Sequence, residues 1–105
     1  MMLPHDYETG ATAIAYSFAP AKAREVVEVR LHLSAAGGAA EDLTITHNSA
    51  LGAAYDVVKA TQAMAAVQDY TWVPDRPHQL AIGDSLDIAY ANSNSRTYGL
   101  EVIYR

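Results

Sequence analysis

Four histidines, His5, His32, His47 and His78, are the side chains of this 105-residue chain best suited to hold a metal or move a proton. No two of them share the short spacing of a zinc site, and the chain has no cysteine to complete one. His32 falls at an outward position of one alternating run and His47 at an inward position of the next. In paired strands their rings would lie on opposite faces. The expectation is one hydrogen-bonded sandwich histidine and one exposed one. His5-Asp6 belongs to a terminal stretch, residues 1–10, read as an arm outside the folded domain.

Carboxylates are the second source of chemistry. Asp84 and Asp87 lie close together, but calcium needs six to eight oxygens from a clustered loop. Gly83-Asp84-Ser85 reads more simply as a turn whose aspartate bonds the backbone on its far side. Glu28 and Glu101 both fall at polar positions of alternating runs. Two acids about 5 to 10 Å apart would suit glycoside hydrolysis, yet a solvated sheet face accounts for them. Ser17, Ser34, Ser49, Ser85, Ser93 and Ser95 include no Gly-x-Ser-x-Gly elbow. No glycine-rich phosphate loop leads from a strand into a helix. The sequence therefore assigns no catalytic, cofactor-binding or metal-ligating residue, and an enzyme is not expected.

Seven Lys/Arg against twelve Asp/Glu give a formal charge of −5, and the cations are scattered rather than clustered. A phosphate backbone is repelled by that balance, so no nucleic-acid partner is expected. No apolar run approaches the roughly 18 residues of a spanning helix, which argues against a membrane partner. Met1-Met2-Leu3-Pro4-His5-Asp6 lacks the basic flank and apolar stretch of a signal peptide. At half apolar and 18% charged, the chain is suited to one compact domain.

The elements that would position these groups follow a period of two. Val27, Val29, Leu31 and Leu33 alternate with Glu28, Arg30 and His32, placing one face on a core and the other in water. Leu43-Thr44-Ile45-Thr46-His47 repeats the pattern after a loop hinged at Gly37-Gly38. Thr12, Ile14, Tyr16 and Phe18 share one parity until Pro20. Leu86, Ile88 and Tyr90, then Tyr98, Leu100, Val102 and Tyr104, read as a hairpin around Ala91-Asn92-Ser93-Asn94-Ser95-Arg96. Tyr70-Thr71-Trp72-Val73 is a short strand, and Pro74-Asp75-Arg76-Pro77-His78 a rigid crossover. Residues 50–69 are alanine-rich: Leu51, Tyr55, Val58 and Gln62 could form a helical stripe, but Tyr55-Asp56-Val57-Val58 also reads as strand, and strand is preferred. The prediction is an all-β single-domain antiparallel β-sandwich over 11–105, jelly-roll-like, with about eight strands. Seven tyrosines and one tryptophan against one phenylalanine give most aromatic bodies a polar tip. Tyr55, Tyr70, Trp72, Tyr90 and Tyr98 are placed near strand ends, at wet edges.

The stretch from Gly83 through Asn92, with Arg96-Thr97-Tyr98-Gly99-Leu100-Glu101-Val102 after it and Glu41-Asp42-Leu43-Thr44-Ile45-Thr46 and Trp72-Val73-Pro74 before it, resembles the small β-sandwich virion proteins of tailed bacteriophages. That group includes capsid decoration (cement) proteins and related sandwiches in head fibres and tails. The resemblance spans roughly residues 12–105 and is one of strands and turns, so no functional residue is carried across. It implies a non-enzymatic virion structural protein, foremost a decoration protein on the capsid surface. Its expected partner is the major capsid protein, and it would self-associate as a homotrimer at local three-fold axes. The alternative is a carbohydrate- or receptor-binding β-sandwich module of a fibre or tail.

Overall fold

A computed structural model of the chain describes residues 3–105. Nine strands form among them: β1 His5–Gly10, β2 Ile14–Phe18, β3 Arg24–Leu33, β4 Asp42–Asn48, β5 Val57–Ala63, β6 Asp69–Trp72, β7 His78–Leu80, β8 Ser85–Tyr90 and β9 Tyr98–Tyr104. A single 3-10 turn, Ala53–Tyr55, lies between β4 and β5. All pairings are antiparallel. One sheet has the order β1-β9-β3-β6, with β7 also on β3, and the other has β2-β8-β4-β5. The pairs β1·β9, β2·β8, β3·β6/β7 and β4·β5 nest one inside another along the chain, which is the jelly-roll winding. The expected all-β sandwich is the observed fold.

Alternation builds the core. Val29, Leu31, Leu33, Leu100 and Val102 point inward from the first sheet, and Ile14, Phe18, Leu43, Ile45, Leu86 and Ile88 meet them from the second; all are buried. Met64, from the β5–β6 connection, closes one end of this core at 0% exposure. The folded surface is 5928 Å², against the roughly 5,700 Å² that size scaling gives for 11 kDa.

Several local readings are corrected. Residues 1–10 are not all outside the domain, because His5–Gly10 pairs along β9 as an edge strand. The β8 and β9 runs are not a hairpin: β8 pairs with β2 and β4, β9 with β1 and β3, and the Asn/Ser segment carries the chain from one sheet to the other. Asn92 directs that crossing. It has φ 51° and is 3% exposed, and its amide donates to the carbonyls of Thr12 and Arg96 while its oxygen accepts from Arg96 N–H. The proline segment is not a crossover either. β6 and β7 lie on the same flank of β3, facing Val29–His32 and Arg24–Val26. Residues 73–77 thus bulge out of one interrupted strand opposite only Val27 and Glu28. Proline's fixed φ and missing donor explain the break. Opposite them, the β3–β9 register slips between Val26 and Glu28, so Val26 is fully buried and Val27 only half-buried. The alanine-rich stretch is strand over β5, as preferred, and β5 is an edge. Its pairing with β4 skips Lys59, which stands as the extra residue of a bulge.

Candidate functional site

The jelly roll has two ends. One carries the connections 11–13, 34–41, 64–68 and 91–97; the other carries 19–23, 49–56 and 81–84, with the 73–77 bulge on its flank. At this second end the structure gathers groups that the sequence keeps apart.

His47, at the end of β4, points inward as expected and meets His78 of β7, its Nδ1 lying 2.7 Å from His78 Nε2. Its other ring nitrogen donates to Asp84 Oδ2 at 3.1 Å. The two rings stand edge to face, 4.9 Å between centroids, and Trp72 packs its edge against His78 at 6.0 Å. Asp84 is the hub. Its carboxylate also accepts from Ala50 N–H at 2.9 Å and Ala81 N–H at 3.1 Å, so one buried side chain ties the β4–β5 connection to the β7–β8 turn. The turn aspartate bonding the backbone was legible in the sequence; its reach to Ala50 and His47 was not. The Ala50 amide, with the Ala81 amide and His47, outweighs burial and holds the Asp84 carboxyl below its ordinary value. Burial, then the neighbouring His47 and Lys59, pushes His78 below the ordinary imidazole value, with Asp84 pulling the other way.

The connections and edge strand at this end expose several large apolar side chains. Leu51 is 77% exposed, Ile82 73%, Tyr55 60%, Val58 57% and Val57 51%. The turn that presents Ile82 closes by Asp84 N–H to Ala81 C=O with Gly83 at φ 89°, and a Cβ at Gly83 would stand 3.0 Å from that of Ala50. The Ile82 turn and the Leu51 loop therefore abut. Beside them an open cleft of about 940 Å³ is lined by Trp72, Pro74, Arg76, Pro77, His78 and Lys59, among others.

The remaining candidates stay dispersed. His32 is exposed as expected and pairs with Asp69 at 2.5 Å. His5 donates to Glu101 at 2.6 Å across β1 and β9, and this bond leads the forces that lower the Glu101 pKa. Glu28 and Glu101 both engage Arg30 on the outer face of the first sheet. Asp87 faces outward and accepts from Ser17, Asn48 and Ser85, three bonds that outweigh burial and lower its pKa. Among the described residues, no three His, Asp or Glu converge as a metal cage would require. Two tyrosines assigned to wet edges are core residues instead: Tyr90 is 3% and Tyr98 5% exposed. The Tyr98 hydroxyl donates to Glu8 at 2.9 Å, and burial with that bond pushes its pKa up to about 12. The apolar rim is what sequence reasoning missed; its only signal was apolar side chains of both parities in Val57-Val58 and in the turn residue Ile82.

No family model matches this sequence, and comparison with curated proteins and with solved structures gives no match.

Proposed function

We propose that the chain is a non-enzymatic structural protein of a phage virion, foremost a decoration protein that self-associates as a trimer and cements the major capsid protein shell. The observation that carries this reading is the cluster of exposed Leu51, Tyr55, Val57, Val58 and Ile82 at one end of the sandwich. Contiguous exposed apolar surface marks a place where another protein sits. Lys59, bulging from edge strand β5, discourages strand-to-strand addition, so the contact runs through the rim and its loops. The net charge of −5 keeps the free protein dispersed. Many copies bound to one shell turn weak individual contacts into a durable coat, because each engaged contact raises the effective concentration of the next.

The test is co-sedimentation of the purified protein with head shells that lack it. Saturable binding that is lost in Leu51→Asp/Ile82→Asp supports the reading; binding unchanged by that double variant, or none, refutes it. The cleft at Trp72, Pro74 and Arg76 favours a second reading, a glycan-binding module of a fibre or tail. Trp72 packs on the core, so Arg76→Ala is the cleaner probe: saturable glycan binding lost in that variant would select this alternative.

A further inference from the structure

The two sheets are joined at the rim end by a side-chain bond with a protonation requirement. Asp84 accepts the Nε2 proton of His47, which leaves the His47 Nδ1 lone pair facing His78. His78 Nε2–H fills it across 2.7 Å. In the neutral pair each proton has one place to go. A first added proton is accommodated: His47 becomes a cation with both nitrogens protonated, and His78 shifts to the tautomer whose Nε2 accepts. A second proton is not, because two N–H groups and two positive charges would then meet along the same 2.7 Å line.

We propose that the His47–His78 pair is an acid-operated latch, in which the second proton breaks the bond and releases β7 with the 73–78 segment from the second sheet. The location suits a moving part. β7 is three residues long, the 73–77 bulge interrupts its continuity with β6, and only Leu80 of its side chains is buried. Such short, poorly anchored elements open at low cost. The charged groups around the pair oppose one another at His78, with Lys59 and His47 against its charge and Asp84 for it. Asp84, from the β7–β8 turn, accepts the His47 Nε2 proton. Lys59, from β5, opposes a charge on His78. Glu25 of β3, which pairs with Arg105, and Asp75, Arg76 and Lys59 line the open cleft beside His78, so both signs of charge face it from outside. Burial and the His47 charge resist the second proton, so opening falls below the ordinary histidine value of about 6.5. The latch stands independently of the virion reading.

The experiment follows both imidazole rings by NMR in the intact chain from pH 8 to 4.5. Alongside it, hydrogen exchange is read by mass spectrometry and corrected for the intrinsic pH dependence of amide exchange. His78 is expected to titrate below the ordinary histidine value. Where it does, exchange in the peptide spanning 73–82 rises at least tenfold, while that spanning 98–104 is unchanged. His78→Gln places an amide donor opposite His47 Nδ1 at every pH, and His47→Gln offers an amide oxygen to a charged His78; each is expected to abolish the rise. His78 titrating at the ordinary value without a change in exchange would overturn the latch, as would the same rise in either glutamine variant. If neither variant folds, the wild-type titration and exchange decide alone.

Discussion

The two ends of the sandwich are held by different chemistry. At the closed end, the loops bond to one another through backbone groups, amides, one guanidinium and the Glu41 carboxylate, which accepts from the Ser93 amide and hydroxyl. Asn92 binds Thr12 and Arg96, Asn94 binds the Gly37 carbonyl, Arg96 binds the Ala36 carbonyl, and Gly37 and Gly38 donate to Met64 and Ala65. Most of these partners keep their protonation state across the physiological range. At the rim end, a carboxylate and two imidazoles hold the loops, and the side chains those loops present are apolar and exposed. One end is tied mostly by groups that do not titrate near neutrality; the other is tied by a carboxylate and two imidazoles and leaves its apolar side chains exposed. Loops positioned by a rigid scaffold are where contact surfaces are carried.

The largest expected difference between the ends comes from Asn92→Ala. It removes three hydrogen bonds from a 3%-exposed side chain and puts alanine at φ 51°. The cost is about 3 kcal/mol, a melting point roughly 15 °C lower by thermal dichroism. Gly37→Ala comes next. Its Cβ would lie 2.4 Å from the Tyr90 hydroxyl and 2.6 Å from the Met64 carbonyl, so backbone must move, at about 2 kcal/mol by urea denaturation. A loss within about 0.5 kcal/mol for either variant would mean that the closed end is looser than described.

On lowering the pH from neutral, acid should act first on the rim end, through His78. His78 has a lowered pKa in the folded chain, so the unfolded chain binds its proton first, and stability is lost as pH falls below about 6.5 toward the folded value. Asp84 is lowered too: its contribution is present above the ordinary 3.8 and disappears below it. Urea midpoints measured from pH 7 to 3 are expected to fall in two stages, with the second stage reduced in Asp84→Asn. Alkali reaches the closed end instead. The Tyr98 hydroxyl, favoured neutral by burial and Glu8, resists ionisation until about pH 12, so a tyrosine absorbance titration should show a late component that Tyr98→Phe removes. Stability from that group holds below the ordinary tyrosine value near 10 and declines above it. The smallest stability effect belongs to Leu51→Asp/Ile82→Asp, within about 0.5 kcal/mol, because both side chains are more than 70% exposed in the single chain.

How much of this could be read from the residues follows from the range of each signal. Alternation is local, so Val29, Leu31, Leu33, Ile45 and Ile88 were assigned to the core by parity alone, and two sheets followed from it. The Asn/Ser segment after Tyr90 was legible as a turn. Whether a turn returns within a sheet or crosses to the other depends on what Asn92 can reach, and Thr12 is 80 residues away in sequence. Val27 was misplaced because a bulge shifts parity without a residue type that announces it. His47 and His78 are separated by 31 residues and meet only because the proline bulge returns the chain to the flank of β3. The rim is not legible in the sequence because exposure is a property of what the fold leaves uncovered.

In the proposed reading the rim end joins copies of this chain, and sedimentation velocity at neutral pH tests that most directly. The expectation at high micromolar concentration is a trimer for the native chain and a folded monomer for Leu51→Asp/Ile82→Asp. A native chain that stays monomeric there, or a double variant that still sediments as a trimer, would contradict it.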